Sequence, residues 1–324
     1  MNAIDWRPVV RGIATMVPGA YRLAARKRGG GTGSADYCYA VWLKHLTLLW
    51  QSGLRTMPVA VAEIGPGDSL GVGLAALLCG ASRFYALDVV AYSNVEKNLK
   101  MLDELVERFR KRAPQPIKGW PDFDVYLDST RFPSHILTDG LLAKKLDPHR
   151  ISAIREALLH PGRDGKIVVR QVAPWTDAGA IEKSSIDLIY SHSVLEHVVD
   201  VPTAFRCCAS WLRQDGWMSH QVDFTSHGVT KAWNGHWQYP EWLWKIIVGG
   251  RPFLINRHSA SAQIRMLEDA GFETVMQMRN HRGDGMPRTE LSAPWKNMAN
   301  EEVMCSDLFF QARKQGLPIH RTTM

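Results

Sequence analysis

A glycine-rich turn in residues 59–71, reading VAVAEIGPGDSLG, constrains the fold more than any other stretch of this chain. An apolar, β-branched run ends there in Gly65, Pro66 and Gly67, and the small, apolar segment GVGLAALL follows. This order predicts a strand, a tight turn and the start of a buried helix. Glycines let the backbone approach a ligand closely, and the first N–H groups of a helix have no partner within it. We therefore expect a ligand to bind at this turn.

A second strand is predicted at residues 83–90 (RFYALDVV), followed by a helix at residues 94–112. Strands that alternate with helices predict a doubly wound α/β fold with a mostly parallel sheet. Asp88 stands 23 residues after Gly65, close to the ~20 residues at which an acid binds a ribose in such folds. The turn and the acid together favour a nucleoside ligand.

The rest of the chain extends this pattern. Further strands are predicted at residues 166–171, 186–190, 217–224, 273–278 and 307–312. Further helices are predicted at residues 35–53, 69–79, 151–159, 202–212 and 260–270. Prolines in residues 114–164 and tryptophans in residues 225–256 indicate two insertions that cap the sheet. Residues 57–324 then form one domain, preceded by a helical segment at residues 1–56.

The N-terminal segment contains a glycine hinge at residues 29–34, and Tyr37 and Tyr39 follow it. These rings either close over a substrate as a lid or pack in the core. The net charge of +7 is spread along the chain, and only residues 7–28 contain a local cluster of basic residues. They predict contact with a membrane surface, a solvated helix face, a cover for the active site or a segment exchanged between the subunits of a homodimer.

Composition narrows the class of protein. No dense basic stripe with interleaved aromatic residues indicates nucleic-acid binding. The five cysteines include no CxxC pair, so neither a disulfide framework nor a cysteine-based zinc site is expected. No apolar run reaches the ~20 residues that span a bilayer, and no secretory signal is indicated. These features favour a soluble protein of the reducing cytoplasm.

Glu63 lies two residues before the first glycine of the turn. A carboxylate there would repel the pyrophosphate of a dinucleotide, whereas it would attract a cationic amino-acid or sulfonium group. The sign of its charge therefore argues against a nicotinamide dinucleotide.

Three motifs in the right order resemble those of the class I S-adenosylmethionine-dependent methyltransferases, in their type-11-like form. EIGPGDSLG is similar to the first motif, Asp88 in ALDVV to the ribose-binding acid, and SIDLIYSHSVLEHVVDV at residues 185–201 to the motif of the fourth strand. The resemblance covers residues 59–313 with two insertions. It implies a Rossmann-like, seven-stranded, mostly parallel sheet with an antiparallel last strand, and S-adenosylmethionine as cofactor.

The resemblance also implies the cofactor contacts. The methionine part would meet Glu63, Gly65, Pro66, Gly67 and Asp68. The ribose and adenine edge would meet Asp88 and Val89, with further adenine contacts from Trp175, Thr176 and Asp177. Ser191 and His192 would lie near the transferred methyl group. Glu196 and His197 are expected to be structural, and Trp175 has the alternative of capping the sheet.

Candidate catalytic groups follow the fifth strand in SHQVDFTSH. In a doubly wound sheet, ligands bind beyond the carboxyl ends of the strands. His220, Asp223 and His227, together with His192, are therefore candidates for general-base catalysis or substrate contact. A divalent metal held by the trio and a structural role remain alternatives. No metal ligand is assigned on this basis.

The tryptophan-rich insertion, WNGHWQYPEWLW at residues 233–244, suggests a wall for a sugar or an aromatic ring. Its candidate substrate contacts are Trp233, Asn234, His236 and Trp237, with packing of the cap as the alternative. Arg251, Asn256 and Arg257 would grip an anionic substrate or remain on the surface.

These features favour a methyltransferase acting on a small molecule, at a hydroxyl oxygen of a sugar or other metabolite. SHSV stands where enzymes that methylate nucleic-acid amino groups carry an Asn/Asp-Pro-Pro-aromatic motif, so that substrate class is disfavoured. The alternatives are an NAD(P)-dependent oxidoreductase and a non-catalytic S-adenosylmethionine-binding regulator, since fold alone does not fix function.

Overall fold

The computed structural model describes residues 5–17, 31–116, 125–175, 177–251 and 253–315. Seven strands in this part of the chain form one sheet in the order β3-β2-β1-β4-β5-β7-β6. They are β1 Ala60–Ile64, β2 Arg83–Leu87, β3 Val168–Val172, β4 Ile186–His192, β5 Leu212–Asp223, β6 Phe272–His281 and β7 Cys305–Lys314. The first five run parallel, whereas β7 is antiparallel to β5 and β6. The predicted doubly wound sheet with an antiparallel last strand is confirmed.

Helices cover both faces of the sheet. They are α1 Arg7–Thr15, α2 Ala35–Gln51, α3 Gly71–Cys79, α4 Val95–Lys111, α5 Asp139–Lys145, α6 Pro148–Leu159, α7 Val201–Trp211, α8 Glu241–Val248, α9 Ala260–Asp269 and α10 Asn300–Met304. Helices α2 to α6 share one apolar core, and α7 and α9 pack on the other face. No helix in the described ranges is both long and apolar enough to cross a bilayer.

Helix α2 is part of the core and not a separate lid. Tyr39 is fully buried, packs edge-on against Phe109 at 4.9 Å and donates its hydroxyl to the carbonyl of Ala113 at 2.7 Å. The prediction that Tyr39 contacts substrate is therefore wrong, because the apolar stripe of α2 carries this ring into the protein. Tyr37 is only partly buried, and its predicted role stays a prediction.

The loop between β6 and β7, residues 282–304, was not predicted to have a role. Its apolar side chains Leu291 and Val303 form a small core with Trp237 of the second insertion. No helical or strand periodicity marks most of this loop in the sequence, so the packing is decided by tertiary contacts. The two segments together form a cap beside β5.

The N-terminal helix α1 lies against α8, with Val9 buried between them. Its outer side exposes Trp6, Val10 and Ile13. The predicted membrane contact of residues 7–28 stays a prediction, and residues 18–28 lie outside the described ranges.

The packing of α3 on β2 gives a test of the fold. A Cβ at Gly73 would lie 2.0 Å from the ring of Phe84. We expect Gly73→Ala to destabilise the protein by about 1–3 kcal/mol, because a filled core must shift to accept a methyl group. Gly140→Ala is the matched control, since no atom lies within 4 Å of the added Cβ, and it should stabilise by roughly 0.5–1 kcal/mol. Urea unfolding measures both, and equal effects would contradict the packing described.

Candidate active site

The glycine turn after β1 has backbone angles that let another group come close to its main chain. Gly65 and Gly67 have φ values of +71° and +72°, which side chains other than glycine rarely adopt. A Cβ at Gly65 would lie 2.5 Å from a methyl group of Val194, a residue just beyond β4. The turn therefore fits against the end of β4 only because it has no side chain there.

Thr32 fastens the N-terminal segment to this turn. Its hydroxyl donates to the carbonyl of Pro66 at 2.8 Å and accepts from the backbone N–H of Ser69 at 2.9 Å. In return, the Ser69 hydroxyl donates to the Thr32 carbonyl. Residues 31–34 thus cover the turn at its exit into α3.

Asp88 closes the same turn from the end of β2. Its carboxylate accepts from the backbone N–H of Val89 at 2.7 Å and of Gly67 at 3.4 Å. Burial raises its pKa, and these N–H groups offset part of that increase. The backbone N–H of Trp175, after β3, donates to the carbonyl of Asp88 at 3.2 Å, so the ends of β1, β2 and β3 meet here.

Two of the predicted adenine contacts have structural contacts of their own. Trp175 packs edge-on against Trp211 with ring centres 5.6 Å apart, and Asp177 caps a short 3₁₀ helix by accepting from Gly179 N–H at 2.7 Å. Their cofactor roles stay predictions, as does that of Asp68. Thr176 lies outside the described residues.

Glu63 is buried beneath the turn with 3% of its surface exposed. The hydroxyl of Tyr190 donates to its carboxylate at 3.2 Å. Desolvation raises the pKa of Glu63 to about 8, and the hydrogen bonds from Tyr190 and from the backbone of Gly73 offset part of that rise. The carboxyl group is therefore mostly neutral at pH 7 and would ionise when a cation binds nearby.

Alternation along β4 separates two residues that were predicted to act together. His192 faces α2, where its ring lies 5.9 Å from Tyr37 and 5.8 Å from His45. Ser191 points to the opposite face of the sheet and is fully buried, with its hydroxyl 2.7 Å from His220 Nδ1. The predicted contact of the Ser191 side chain with the cofactor is therefore wrong.

His220 lies on that same far face. It is fully buried, its ring stacks near Phe310 at 5.2 Å, and burial lowers its pKa to about 3. The prediction of His220 as a catalytic base is wrong, because side chains at alternate positions of a strand point to opposite faces.

A second group of ionisable side chains lies beyond β4 and β5. Glu196 and His197 belong to the 3₁₀ helix Leu195–His197, and His227 Nε2 lies 3.8 Å from Glu196 Oε1 and 3.6 Å from Asp223 Oδ2. Burial and the charge of Asp223 raise the pKa of Glu196 well above its ordinary value, and burial lowers that of His197 to about 4. Burial is the main cause that raises the pKa of Tyr37, with smaller contributions from Cys38, Glu196 and Glu63.

The residues predicted to grip an anion instead support the fold. Asn256 donates its side-chain N–H groups to the carbonyls of Leu195 and Val198 at 2.7 and 2.8 Å. Arg257 is buried, pairs with Glu241 and donates to the carbonyl of Tyr239 at 2.7 Å. An anion grip by these two residues is therefore wrong.

Most of the tryptophan-rich insertion is also packed. Asn234 is fully buried and donates to the carbonyls of Met286 and Val303. His236 and Trp237 are buried against each other with ring centres 4.6 Å apart. The predicted substrate contacts of Asn234, His236 and Trp237 are therefore wrong, since the loop before β7 packs on Asn234 and Trp237, and the rings of Trp237 and Trp244 lie against His236. Trp233 remains a candidate, because it lines a surface cavity of about 330 Å³ that also reaches His227.

A family model for a methyltransferase domain matches residues 71–277, which is more than half of the chain. The chain belongs to the methyltransferase domain family. It is a methyltransferase whose methyl donor is S-adenosylmethionine. Among curated proteins, no sequence relative is found.

This methyltransferase is similar to several solved structures of methyltransferases at low sequence identity. One is an S-adenosylmethionine-dependent methyltransferase from Mesorhizobium loti, at 14% identity over 84% of this chain and 98% of that one, with a TM-score of 0.40. Others are a putative sarcosine dimethylglycine methyltransferase from Galdieria sulphuraria, at 14% identity over 85% of each chain with a TM-score of 0.43, and phosphoethanolamine N-methyltransferase 2 from Haemonchus contortus, at 14% identity over 85% and 53% with a TM-score of 0.40.

The residues of the glycine turn fit this methyl donor. Gly65 and Gly67 give the turn its positive φ angles, Asp88 offers a carboxylate for ribose hydroxyls, and Glu63 offers a group that ionises beside a cation. Sequence reasoning missed the contributions of Thr32 and Val194, which no local pattern marks. It also assigned Glu196 and His197 a structural role. An acid next to a histidine directly after a strand was a signal in the sequence for a functional site.

Proposed function

We propose that this methyltransferase acts on a hydroxyl oxygen of a small molecule, such as a sugar or another metabolite, with His192 as the general base. The position of His192 carries the proposal. It ends β4 on the sheet face that holds Tyr190, the hydrogen-bond donor to Glu63, and its ring lies edge-on to Tyr37. A hydroxyl group is a poor nucleophile until its proton is removed, so transfer to oxygen needs a base at this place.

When bound, S-adenosylmethionine supplies an electrophilic methyl carbon on a positively charged sulfur. His192 would accept the proton of the acceptor hydroxyl, which would leave the oxygen able to receive the methyl group. Tyr37 forms a wall that limits water at the reacting atoms. Asp223, at the end of β5, and His227, in the loop that follows, contact the methyl acceptor.

A small acceptor is supported by the way the site is covered. Thr32 holds residues 31–34 over the glycine turn, and the second insertion with the loop at residues 282–304 packs beside β5. The second insertion and the loop at residues 282–304 line a surface cavity of about 330 Å³ at His227, Trp233 and Arg282. A cavity of this size suits a metabolite.

We expect His192→Asn to lower kcat by ~10²–10⁴, the usual contribution of a general base. His220→Asn is the matched control, because it removes a histidine at the same level of the sheet but on the far face, and it should retain kcat within a few-fold. Both variants should bind S-adenosylhomocysteine with wild-type affinity. The assay follows transfer of a labelled methyl group to fractionated metabolites.

Equal rates in wild type and His192→Asn would refute the assignment of the base. Product analysis by mass spectrometry decides the acceptor atom, and a methylated amine would refute the proposed hydroxyl acceptor.

A further inference from the structure

Three potential metal ligands meet between the 3₁₀ helix after β4 and the loop after β5. A carboxylate oxygen of Glu196 and one ring nitrogen from each of His197 and His227 lie within 4.8 Å of one another. The distance from His227 Nε2 to Glu196 Oε1 is 3.8 Å. Two ligands at about 2.1 Å from one tetrahedral ion are ~3.4 Å apart, so small side-chain rotations bring all three into a coordination sphere.

Three buried polar atoms in this cluster have no hydrogen bond of ordinary geometry in the described part of the chain. Two of them are the carboxylate oxygens of Glu196, which has 2% of its surface exposed, and the backbone N–H groups of Glu196 and Asp223 offset only part of its desolvation. Nδ1 of His197 is likewise buried and without a partner there. Buried polar atoms are ordinarily satisfied, and a buried carboxylate is costly without a compensating charge. A cation would supply what both groups lack.

The protein holds these ligands from behind. Asn256 donates its backbone N–H to the carbonyl of Glu196 at 2.7 Å and its side chain to the carbonyls that flank the 3₁₀ helix. The carbonyl of Phe253 bonds to the ring of His197, which leaves Nδ1 available as a ligand. Such supporting bonds fix the tautomer and the orientation of metal-binding histidines.

The loop that carries His227 is fixed in the same way. Asp223 accepts from the backbone N–H of Thr225 at 2.7 Å, and the backbone N–H of Ser226 donates to the carbonyl of Trp233 at 2.6 Å. His227 itself has a φ of +48°, and 32% of its side chain is exposed. Hydrogen bonds therefore fix the loops that carry these three side chains, and the cluster is open to solvent at His227.

We propose that Glu196, His197 and His227 bind one divalent transition-metal ion of the zinc class, with an open coordination position for an oxygen atom of the methyl acceptor. Two imidazole nitrogens and one carboxylate suit Zn²⁺, Co²⁺ or Mn²⁺ better than Mg²⁺, which prefers oxygen ligands only. Three protein ligands leave the fourth position open. Only the role of the acceptor oxygen rests on the proposed function, since metal binding does not require it.

The test uses the full chain, stripped with chelator and titrated with Co²⁺ or Zn²⁺ alone. We expect one ion per chain with micromolar or tighter affinity, visible Co²⁺ absorption bands, and a metal-dependent increase in Tm. His227→Gln and Glu196→Gln should each weaken binding by at least ~100-fold, a loss equivalent to removing one ligand. His160→Gln is the matched control, because His160 Nε2 also lies 3.8 Å from a glutamate, Glu156, but no third potential ligand joins them among the described residues.

Absence of binding at 100 µM metal, with ~100 µM taken as the weakest affinity useful for a bound cofactor, would overturn the proposal. Binding that His227→Gln leaves unchanged would overturn it as well. If Glu196→Gln does not fold, His227→Gln decides alone, since that side chain is partly exposed. Metal binding is measured without acceptor, so a failed search for methylated products leaves this result independent.

Discussion

Gly65→Ala should abolish measurable binding of S-adenosylmethionine, with an affinity loss of at least ~100-fold. Gly65 has a φ of +71°, and a side chain in this region costs about 1–2 kcal/mol. The added Cβ would also lie 2.5 Å from a methyl group of Val194. The turn must therefore move away from the end of β4, and every ~1.4 kcal/mol of lost interaction weakens binding tenfold. Calorimetric titration with S-adenosylhomocysteine measures the change.

Two controls separate the causes of this loss. Gly271→Ala places a side chain at a φ of +88° with no atom within 4 Å, so it carries the backbone cost without a clash and should bind like wild type. Val194→Ala introduced together with Gly65→Ala should recover part of the affinity, because the colliding methyl groups are gone. Wild-type binding by Gly65→Ala would show that the turn is not where the cofactor lies.

The wild type should release a proton when it binds the cofactor, and Glu63→Gln should not. With a pKa of about 8, Glu63 holds ~0.9 proton at pH 7, and a sulfonium or ammonium group nearby favours its carboxylate. Binding should then release most of that proton. Titrations in buffers of different ionisation enthalpy measure the release, which Glu63→Gln should lose together with at least ~tenfold in affinity.

The same group sets a pH dependence of stability. Below pH 4.5, the ordinary pKa of a glutamate, Glu63 is protonated in both states. Between 4.5 and about 8 the folded protein keeps a proton that the unfolded chain loses, so the free energy of unfolding of the free enzyme should fall as pH rises through this window. Glu63→Gln should flatten the fall, whereas Glu156→Gln, on the surface, should not. A fall of equal steepness in Glu63→Gln would refute the raised pKa.

Much of the architecture was accessible from sequence because it depends on local signals. Alternating apolar runs and helical stripes predicted β1 to β7 in order, and the glycines at 65 and 67 marked the tight turn after β1, since few other residues adopt their backbone angles. Charge at Glu63 and the spacing to Asp88 then selected the kind of ligand. These properties belong to short stretches of chain, so no knowledge of distant neighbours was needed.

Which side chains can meet the methyl acceptor depends on tertiary contacts that no sequence pattern indicates. In the sequence, His220 and His192 were equally suited to catalysis. Strand alternation and pairing place His220 against Ser191 on one face of the sheet and His192 beside Tyr37 on the other. Packing by residues 282–304 helped to bury Asn234 and Trp237, two of the side chains expected to meet substrate.

The sequence by itself determined the fold class, because local apolar patterns encode it, and three motifs that resemble those of class I methyltransferases indicated the methyl donor. Tertiary structure decided which histidines reach the site. It also brought Glu196 and His197, which follow β4, next to His227, which follows β5. The physical reason is that exposure and ligand geometry are set by the packing of elements far apart in the chain, and no single stretch specifies that packing.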